Sequence, residues 1–205
     1  MTQQGSLHIL GAGGHAKVVL ALAQAAGYRV AGVYDDSAQG EVLGVPVLGP
    51  LSHLEAQPGA LAVLAIGRNS VRQALAQRFA ALEWVTLVHP AAWVAPTAQL
   101  GPGTVVMAGA VIQPDTRVGG HVIVNTRASL DHDGDIGDFA HLAPGCCLAG
   151  NVTVGEGAFL GAGSICIPGT RVGEWATVGA GATVIRPVEA RVTAVGTPAR
   201  ALPQR

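Results

Sequence analysis

A chain of 205 residues can bury the core of one large domain or two small ones without disulfide or metal staples. Only 12% of its residues are charged against 49% hydrophobic, and the formal net charge is −1, so no electrostatic grip on nucleic acid or anionic lipid is expected. Mean hydropathy is +0.41, yet His15 and Lys17 interrupt the best apolar run short of the roughly 18 residues a membrane helix needs, so no membrane insertion is expected.

Met1 to Ser6 is polar and lacks the basic and apolar regions of a signal peptide, so export is not expected and a cytoplasmic location is. Leu7 to Leu10 reads as a first strand, Gly11-Ala12-Gly13-Gly14-His15 as a tight loop, and Ala16 to Ala26 as a helix ended by Gly27. Val30 to Tyr34 makes a second strand closing on Asp35-Asp36, and Leu61 to Ile66 a third closing on Gly67. Asn69 or Ser70 is placed to cap a helix over Val71 to Phe79, and Val85 to Val88 reads as a fourth strand before His89-Pro90. This is a small parallel α/β unit, in which ligands bind at the carboxyl ends of the strands, where Gly11 to His15, Asp35-Asp36 and Gly67-Arg68-Asn69 fall.

After about residue 90 the grammar changes to a repeat of six. Counting from Val94 to Val184, sixteen positions in steps of six are all apolar, and the residue four places after each is mostly small. A period of six fits neither an α-helical face nor a simple alternating strand. It fits short strands joined by tight corners, three hexapeptides to a triangular coil of eighteen residues. Gly101, Gly119, Gly137, Gly155 and Gly173 recur at that interval and should stack from coil to coil. The run from Val94 to Val184 holds about five coils. Cys146, Cys147 and Cys166 have neither zinc-type nor C-x-x-C spacing and read as reduced cysteines packed as small hydrophobes.

Two segments could carry chemistry. The loop Gly11 to Ala16 satisfies G-x-G-x-x-A, with Asp35 about where a ribose-binding carboxylate sits; nucleotide-sugar binding, dinucleotide binding and a purely structural turn all fit. The unit is about half a full dinucleotide fold, which favours a single nucleotide. His132 lies in Leu130-Asp131-His132-Asp133, where neighbouring carboxylates raise the basicity of an imidazole and fix its tautomer, as a general base needs. Successive strand residues point to opposite faces, so contact between His132 and Asp133 requires a corner.

The segments Gly11 to Val19, Tyr34-Asp35-Asp36, Ala65-Ile66-Gly67, Ile123 to Thr126, Leu130 to Asp133 and Ala194 to Arg200 together resemble one family over nearly the whole chain. It is the hexapeptide-repeat acetyltransferases that include nucleotide-amino-sugar N-acetyltransferases and sialic acid O-acetyltransferase-like proteins. The resemblance implies a Rossmann-like α/β nucleotide-sugar-binding domain over residues 1–90. A left-handed parallel β-helix with a C-terminal tail follows over 91–205, carrying acetyl-CoA binding and catalysis. It implies a homotrimer with active sites between subunits, acetyl-CoA and a nucleotide-linked amino sugar as partners, no metal, and a place in glycan biosynthesis. By the same resemblance His132 is the general base and Asp133 the acid that increases its basicity. Gly13, Gly14, His15, Asp35, Asp36 and Gly67 hold the nucleotide-sugar, while Asn125, His141, Gly150, Ala162 and Ala180 line the acetyl-CoA groove.

Sugar O-acetylation is the nearest alternative. A γ-carbonic-anhydrase-like zinc enzyme would draw on His121, His132 and His141, whose spacings of eleven and nine do not stack in an eighteen-residue register. A non-enzymatic sugar-binding scaffold is a third possibility.

Overall fold

The computed structural model describes residues 6–55 and 57–203; the polar N-terminal stretch, apart from Ser6, lies outside them. Strand β1 (Leu7–Leu10) leads through the glycine loop into helix α1 (Gly14–Ala25), then β2 (Val30–Tyr34). A short antiparallel hairpin, β3 (Glu41–Val42) and β4 (Val45–Pro46), precedes β5 (Leu61–Leu64), α2 (Asn69–Arg78) and β6 (Glu83–Trp84). The parallel sheet runs β2-β1-β5-β6. Leu7, Ile9 and Leu10 of β1 and Val63 and Leu64 of β5 are buried, as expected of strands covered on both faces.

Two local expectations shift. The fourth strand is Glu83–Trp84, because Leu87–Val88 already pairs with Val105–Val106 in the repeat. Neither Asn69 nor Ser70 caps α2: Arg68 occupies the cap without a side-chain bond, and Asn69 is the first helical residue, its amide turned toward the repeat.

From Leu87 the chain winds as a parallel β-helix of about seven turns, extending past both ends of the stretch from Val94 to Val184. Its first face stacks Leu87–Val88, Val105–Val106, Ile123–Val124, His141–Leu142, Phe159–Leu160, Thr177–Val178 and Thr193–Val195. The second stacks Trp93–Val94 through Thr183–Val184, and the third Gln99–Leu100 through Arg171–Val172. One residue of each pair points inward, so Val106, Ile112, Val118, Val124 and their successors fill the prism. The outward Leu87, Val105 and Ile123 of the first face are covered by the α/β unit, packing with Leu7, Val19 and Ala23.

The corners explain how six residues close a side. Every sixth residue from Gly103 to Gly181 has a left-handed φ, whether it is glycine or Asp115, His121, Arg127, Asp133, Phe139, Asn151 or Trp175. The glycines spaced by eighteen serve a different need. Their φ is ordinary, but a Cβ on Gly101 would stand 2.5 Å from the carbonyl carbon of Gly119, so they permit the close approach of coils.

Candidate active site

His132 and Asp133 form the corner between the second and third faces, after Ser129–Leu130 and before Asp135–Ile136. The left-handed φ of Asp133 (59°) turns its carboxylate onto the preceding ring, and Oδ2 lies 2.7 Å from His132 Nδ1. The corner anticipated for this pair is present, and the short arm of aspartate spans it. Asp131 fixes the other side by accepting the His132 backbone N–H at 2.8 Å. The imidazole is solvent-exposed. Its pKa is raised by the hydrogen bond to Asp133 and then by the charge of Asp131. With Nδ1 bonded to a carboxylate, Nε2 is the nitrogen that carries a free lone pair. Gly150 lies one coil on from His132. Its N–H donates to no protein acceptor among the described residues, and a Cβ there would stand 2.7 Å from His132 Nε2.

A second constellation lies on the first face. His141 is buried, its Nε2 3.2 Å from Asn125 Nδ2 and its Nδ1 3.3 Å from the carbonyl of Gly67. The Asn125 amide is oriented by Thr126, whose N–H donates to Asn125 Oδ1 at 2.8 Å. Burial, and then the nearby Arg72 charge, pulls the His141 pKa to about 4, and the same two causes hold His15 at about 4. Their rings are 6.2 Å apart, and His15 Nε2 is buried without a partner among the described residues. The glycine loop, Gly67, His141 and Asn125 therefore belong to one neighbourhood within a single chain.

Glycine geometry separates fold from site in the α/β unit. Gly11 is required by the fold, since its φ is 106° and a Cβ would meet Ile66 Cδ1 at 2.5 Å. Gly13, Gly14 and Gly67 have ordinary φ and open space where a Cβ would be, so neither packing nor backbone conformation requires them. They leave main-chain N–H groups approachable at the start of α1 and beside α2. Asp35 is largely occupied by the loop itself: Oδ2 accepts from Ala12 N–H, and Oδ1 from Ser37 N–H, Ser37 Oγ and Ala38 N–H, each at 2.9 Å. Burial opposes ionisation of its carboxyl, but these hydrogen bonds outweigh it and hold the pKa at about 2. Asp36 is exposed and accepts the Leu51 N–H through Oδ1 at 2.9 Å. A groove of about 390 Å³ runs on from Gly67 between Arg68, Asn69 and Ser70 on one side and Phe159, Trp175 and Thr177 on the other. No sequence pattern marked its aromatic wall.

The residues read as an acetyl-CoA lining divide over two edges of the prism. Asn125, Ala162 and Ala180 stand at the corner between the first and second faces, where Gly181 N–H donates to Ala162 O at 2.8 Å. Gly150 stands with His132 on the next corner. His132 is thus placed away from the first face, against which the glycine loop packs. His121, at the corner between the third and first faces, stacks on Phe139, so His121, His132 and His141 do not converge within one chain. Cys146 and Cys166 are buried, burial pushing the Cys166 thiol up to about 12, whereas Cys147 is exposed on the second face. No helix among the described residues is long and apolar enough to cross a membrane.

Residues 6–79 match the model of the PglD N-terminal domain, and residues 151–186 that of the hexapeptide repeat of succinyl-transferase. PerB from Caulobacter crescentus, solved in complex with CoA and GDP-perosamine, superposes with a TM-score of 0.92 at 42% identity, over 97% of this chain and 98% of that one. The acetyltransferase domain of PglB from Neisseria gonorrhoeae FA1090, in complex with acetyl coenzyme A, gives 0.92 at 39% identity, over 97% of this chain and 100% of that one. The UDP-N-acetylbacillosamine N-acetyltransferase of Bacillus subtilis (strain 168) is 43% identical over 108 residues, 49% of this chain and 50% of that protein. The chain thus spans half or less of the curated relatives it matches.

Proposed function

Because the chain belongs to the hexapeptide-repeat acetyltransferases of the nucleotide-amino-sugar N-acetyltransferase and sialic acid O-acetyltransferase-like family, we propose that it transfers an acetyl group from acetyl-CoA to the amino group of a nucleotide-linked sugar. The observation that carries this reading is an exposed His132 held by Asp133 at 2.7 Å, beside the unengaged N–H of Gly150. His132 Nε2 takes a proton from the acceptor amine as its nitrogen pair attacks the thioester carbonyl carbon. The carbonyl π pair moves to oxygen, where the Gly150 N–H stabilises it. Collapse re-forms the carbonyl and expels the CoA thiolate, which takes the proton back from the imidazolium. The products are the N-acetyl sugar and CoA.

The nucleotide-sugar lies on Gly13, Gly14, His15, Asp36 and Gly67, with Asp35 acting by shaping the loop. Asn125, His141, Ala162 and Ala180 border acetyl-CoA. Since His132 stands away from the first face, the base of one copy serves the sugar held by another, in a homotrimer. Supporting this, the second face exposes Ile165 with Ile167 and Ile185 at its edge, and Trp93 four coils before Ile165, apolar side chains on both sides of the coil that carries His132. The reading places the enzyme in the cytoplasm, where acetyl-CoA and nucleotide-sugars are available, in glycan biosynthesis.

The test is incubation with acetyl-CoA and UDP-, GDP- and CMP-linked amino sugars, following thiol release and product mass. Thiol release with one acetyl group gained on nitrogen is expected. Acetylation on a hydroxyl would instead select the O-transfer reading, and no turnover with any acceptor would leave the scaffold reading in its place.

A further inference from the structure

The corner between the third and first faces offers the same carbonyl on successive coils, those of His121, Phe139 and Gly157, eighteen residues apart and all at the left-handed position. Two side chains of α2 bind all three. Arg72 Nε donates to His121 O at 2.8 Å and Nη2 to Phe139 O at 2.6 Å, while Asn69 Nδ2 donates to Gly157 O at 3.0 Å. Asn69 Oδ1 accepts from Arg72 Nη2 at 3.1 Å, joining the two. Arg72 Nη1 turns back to the carbonyls of Ile66 at 3.0 Å and Gly67 at 3.4 Å.

Arg72 is 1% exposed, and the ion pairs among the described residues, Arg78–Glu55 and His132–Asp133, do not include it. Its partners are carbonyl and amide oxygens, and burial pulls its pKa to about 9. A buried cation without a counter-charge is a costly way to gain stability, which an apolar side chain supplies as well. What the planar guanidinium supplies and an apolar group does not is direction.

We propose that Arg72 is a positioning residue that, with Asn69, holds the Gly67 carbonyl against His141 Nδ1 and so locks His141 in the tautomer protonated at Nδ1. Thr126 orients the Asn125 amide so that its N–H₂ faces His141 Nε2, which favours Nε2 as the acceptor. The Gly67 carbonyl completes the preference by accepting from Nδ1–H; without it a buried Nδ1–H is unpaired and the Nε2–H form, with the Asn125 amide turned over, competes. At 3.3 Å the bond to Gly67 O is long and easily lost, and Arg72 Nη1 spans the two carbonyls that set its position. The clamp thereby fixes the separation between the loop that holds the sugar and the wall that borders acetyl-CoA. The kinetic consequence rests on the function proposed above, whereas the tautomer does not.

Long-range ¹H–¹⁵N spectra of the full chain, with His141 assigned by comparison with His141→Gln, read the tautomer directly. The wild type should show Nδ1–H. Arg72→Met should populate the Nε2–H form and lower kcat/KM for the nucleotide-sugar by about tenfold to a hundredfold, with Arg72→Lys restoring part of both. A folded Arg72→Met that keeps the wild-type tautomer overturns the proposal. If that variant does not fold, the same spectra of Asn69→Ala decide, an unchanged tautomer again counting against it. If the wild type lacks acetyl transfer, the proposed function fails while the tautomer still answers for Arg72.

Discussion

The α-carbon of Gly150 faces the ring of His132 so closely that a Cβ would stand 2.6 Å from Cε1 and 2.7 Å from Nε2. Neither a left-handed φ nor backbone crowding calls for glycine there, and the ring is the near neighbour. Gly150→Ala should therefore push the imidazole off its position and lower kcat by about tenfold to a hundredfold, with little change in melting temperature. A variant with native kcat would mean the ring is free to move without consequence.

His132→Ala removes the proposed base and should lower turnover at least about a hundredfold while leaving acetyl-CoA affinity nearly intact, since general-base catalysis contributes about 10²–10⁴-fold. Turnover near that of the wild type would take His132 out of the reaction. Asp133→Asn has a smaller effect with a definite sign. The base works when neutral, and the hydrogen bond to Asp133 is the main cause of its raised pKa, so losing that charge lets the proton leave at lower pH. The acid limb of the kcat/KM profile should move to lower pH and the plateau should fall, with Asp131 retaining part of the shift. An unmoved limb would identify a different titrating group.

The repeat was legible because a ladder needs an apolar residue at every sixth place, and Val94 to Val184 meet that condition without exception. Corner conformation was not, because residues as unlike as Asp133, Phe139 and Trp175 adopt the left-handed φ that glycine takes elsewhere. Adjacent His132 and Asp133 suggested a pair, but only the corner shows how neighbours on a chain come to point together. Asn69 read as a cap because amides favour helix starts; its bonds to Gly157 and Ala158 are to backbone, which leaves no trace in side-chain patterns. Arg72 was invisible for the same reason, its partners being carbonyls 49 and 67 residues away.

Asp36 needs two substitutions to separate binding from folding. Asp36→Ala loses the bond to the Leu51 N–H, at a cost of about 1 kcal/mol in stability, as well as the charge. Asp36→Asn keeps an acceptor for Leu51 and removes only the charge. If Asp36 contacts the nucleotide-sugar, calorimetric titration should show both variants weakened toward it and unchanged toward acetyl-CoA. Native sugar affinity in Asp36→Asn, with a lowered melting temperature in Asp36→Ala alone, would assign the residue to the turn.

Four histidines are shifted down by burial and make stability depend on pH, three of them strongly. His15, His121 and His141 are each pulled to about 4 from an ordinary 6.5, by burial first and the Arg72 charge second. Between those values the unfolded chain binds protons that the folded chain refuses, so their contribution is complete above about pH 6.5 and is lost as pH falls toward 4. Asp35, held at about 2, acts below this window. His121 is the one to alter, since Nδ1 is buried without a partner among the described residues and Phe139 occupies the equivalent place on the next coil with a φ of 59°. His121→Phe should fold, match or exceed the wild type at pH 7, and lose less melting temperature between pH 6.5 and 4.5. An unaltered pH dependence would show that His121 does not titrate with unfolding.

The separation of His132 from the first face makes assembly testable through mixing. The glycine loop packs on the first face and His132 sits on the opposite corner, so a chain carrying a dead base and a chain carrying a blocked loop fail for different reasons. Gly14 has open space above it, which makes Gly14→Val a loop-blocking change with little cost to the core. Co-expressed with His132→Ala, it should form mixed trimers in which the intact base of one copy meets the intact loop of another. Random assembly yields about a quarter of such sites, and activity should return to about that fraction of the wild type although each variant alone is inactive. Ile165→Lys, placing a charge beside the exposed Ile167 and Ile185 at the edge of the second face, should convert trimers to monomers by light scattering and abolish both the wild-type activity and the complementation. Mixed assemblies that stay inactive, with both variants incorporated, would place base and loop of one site in the same chain.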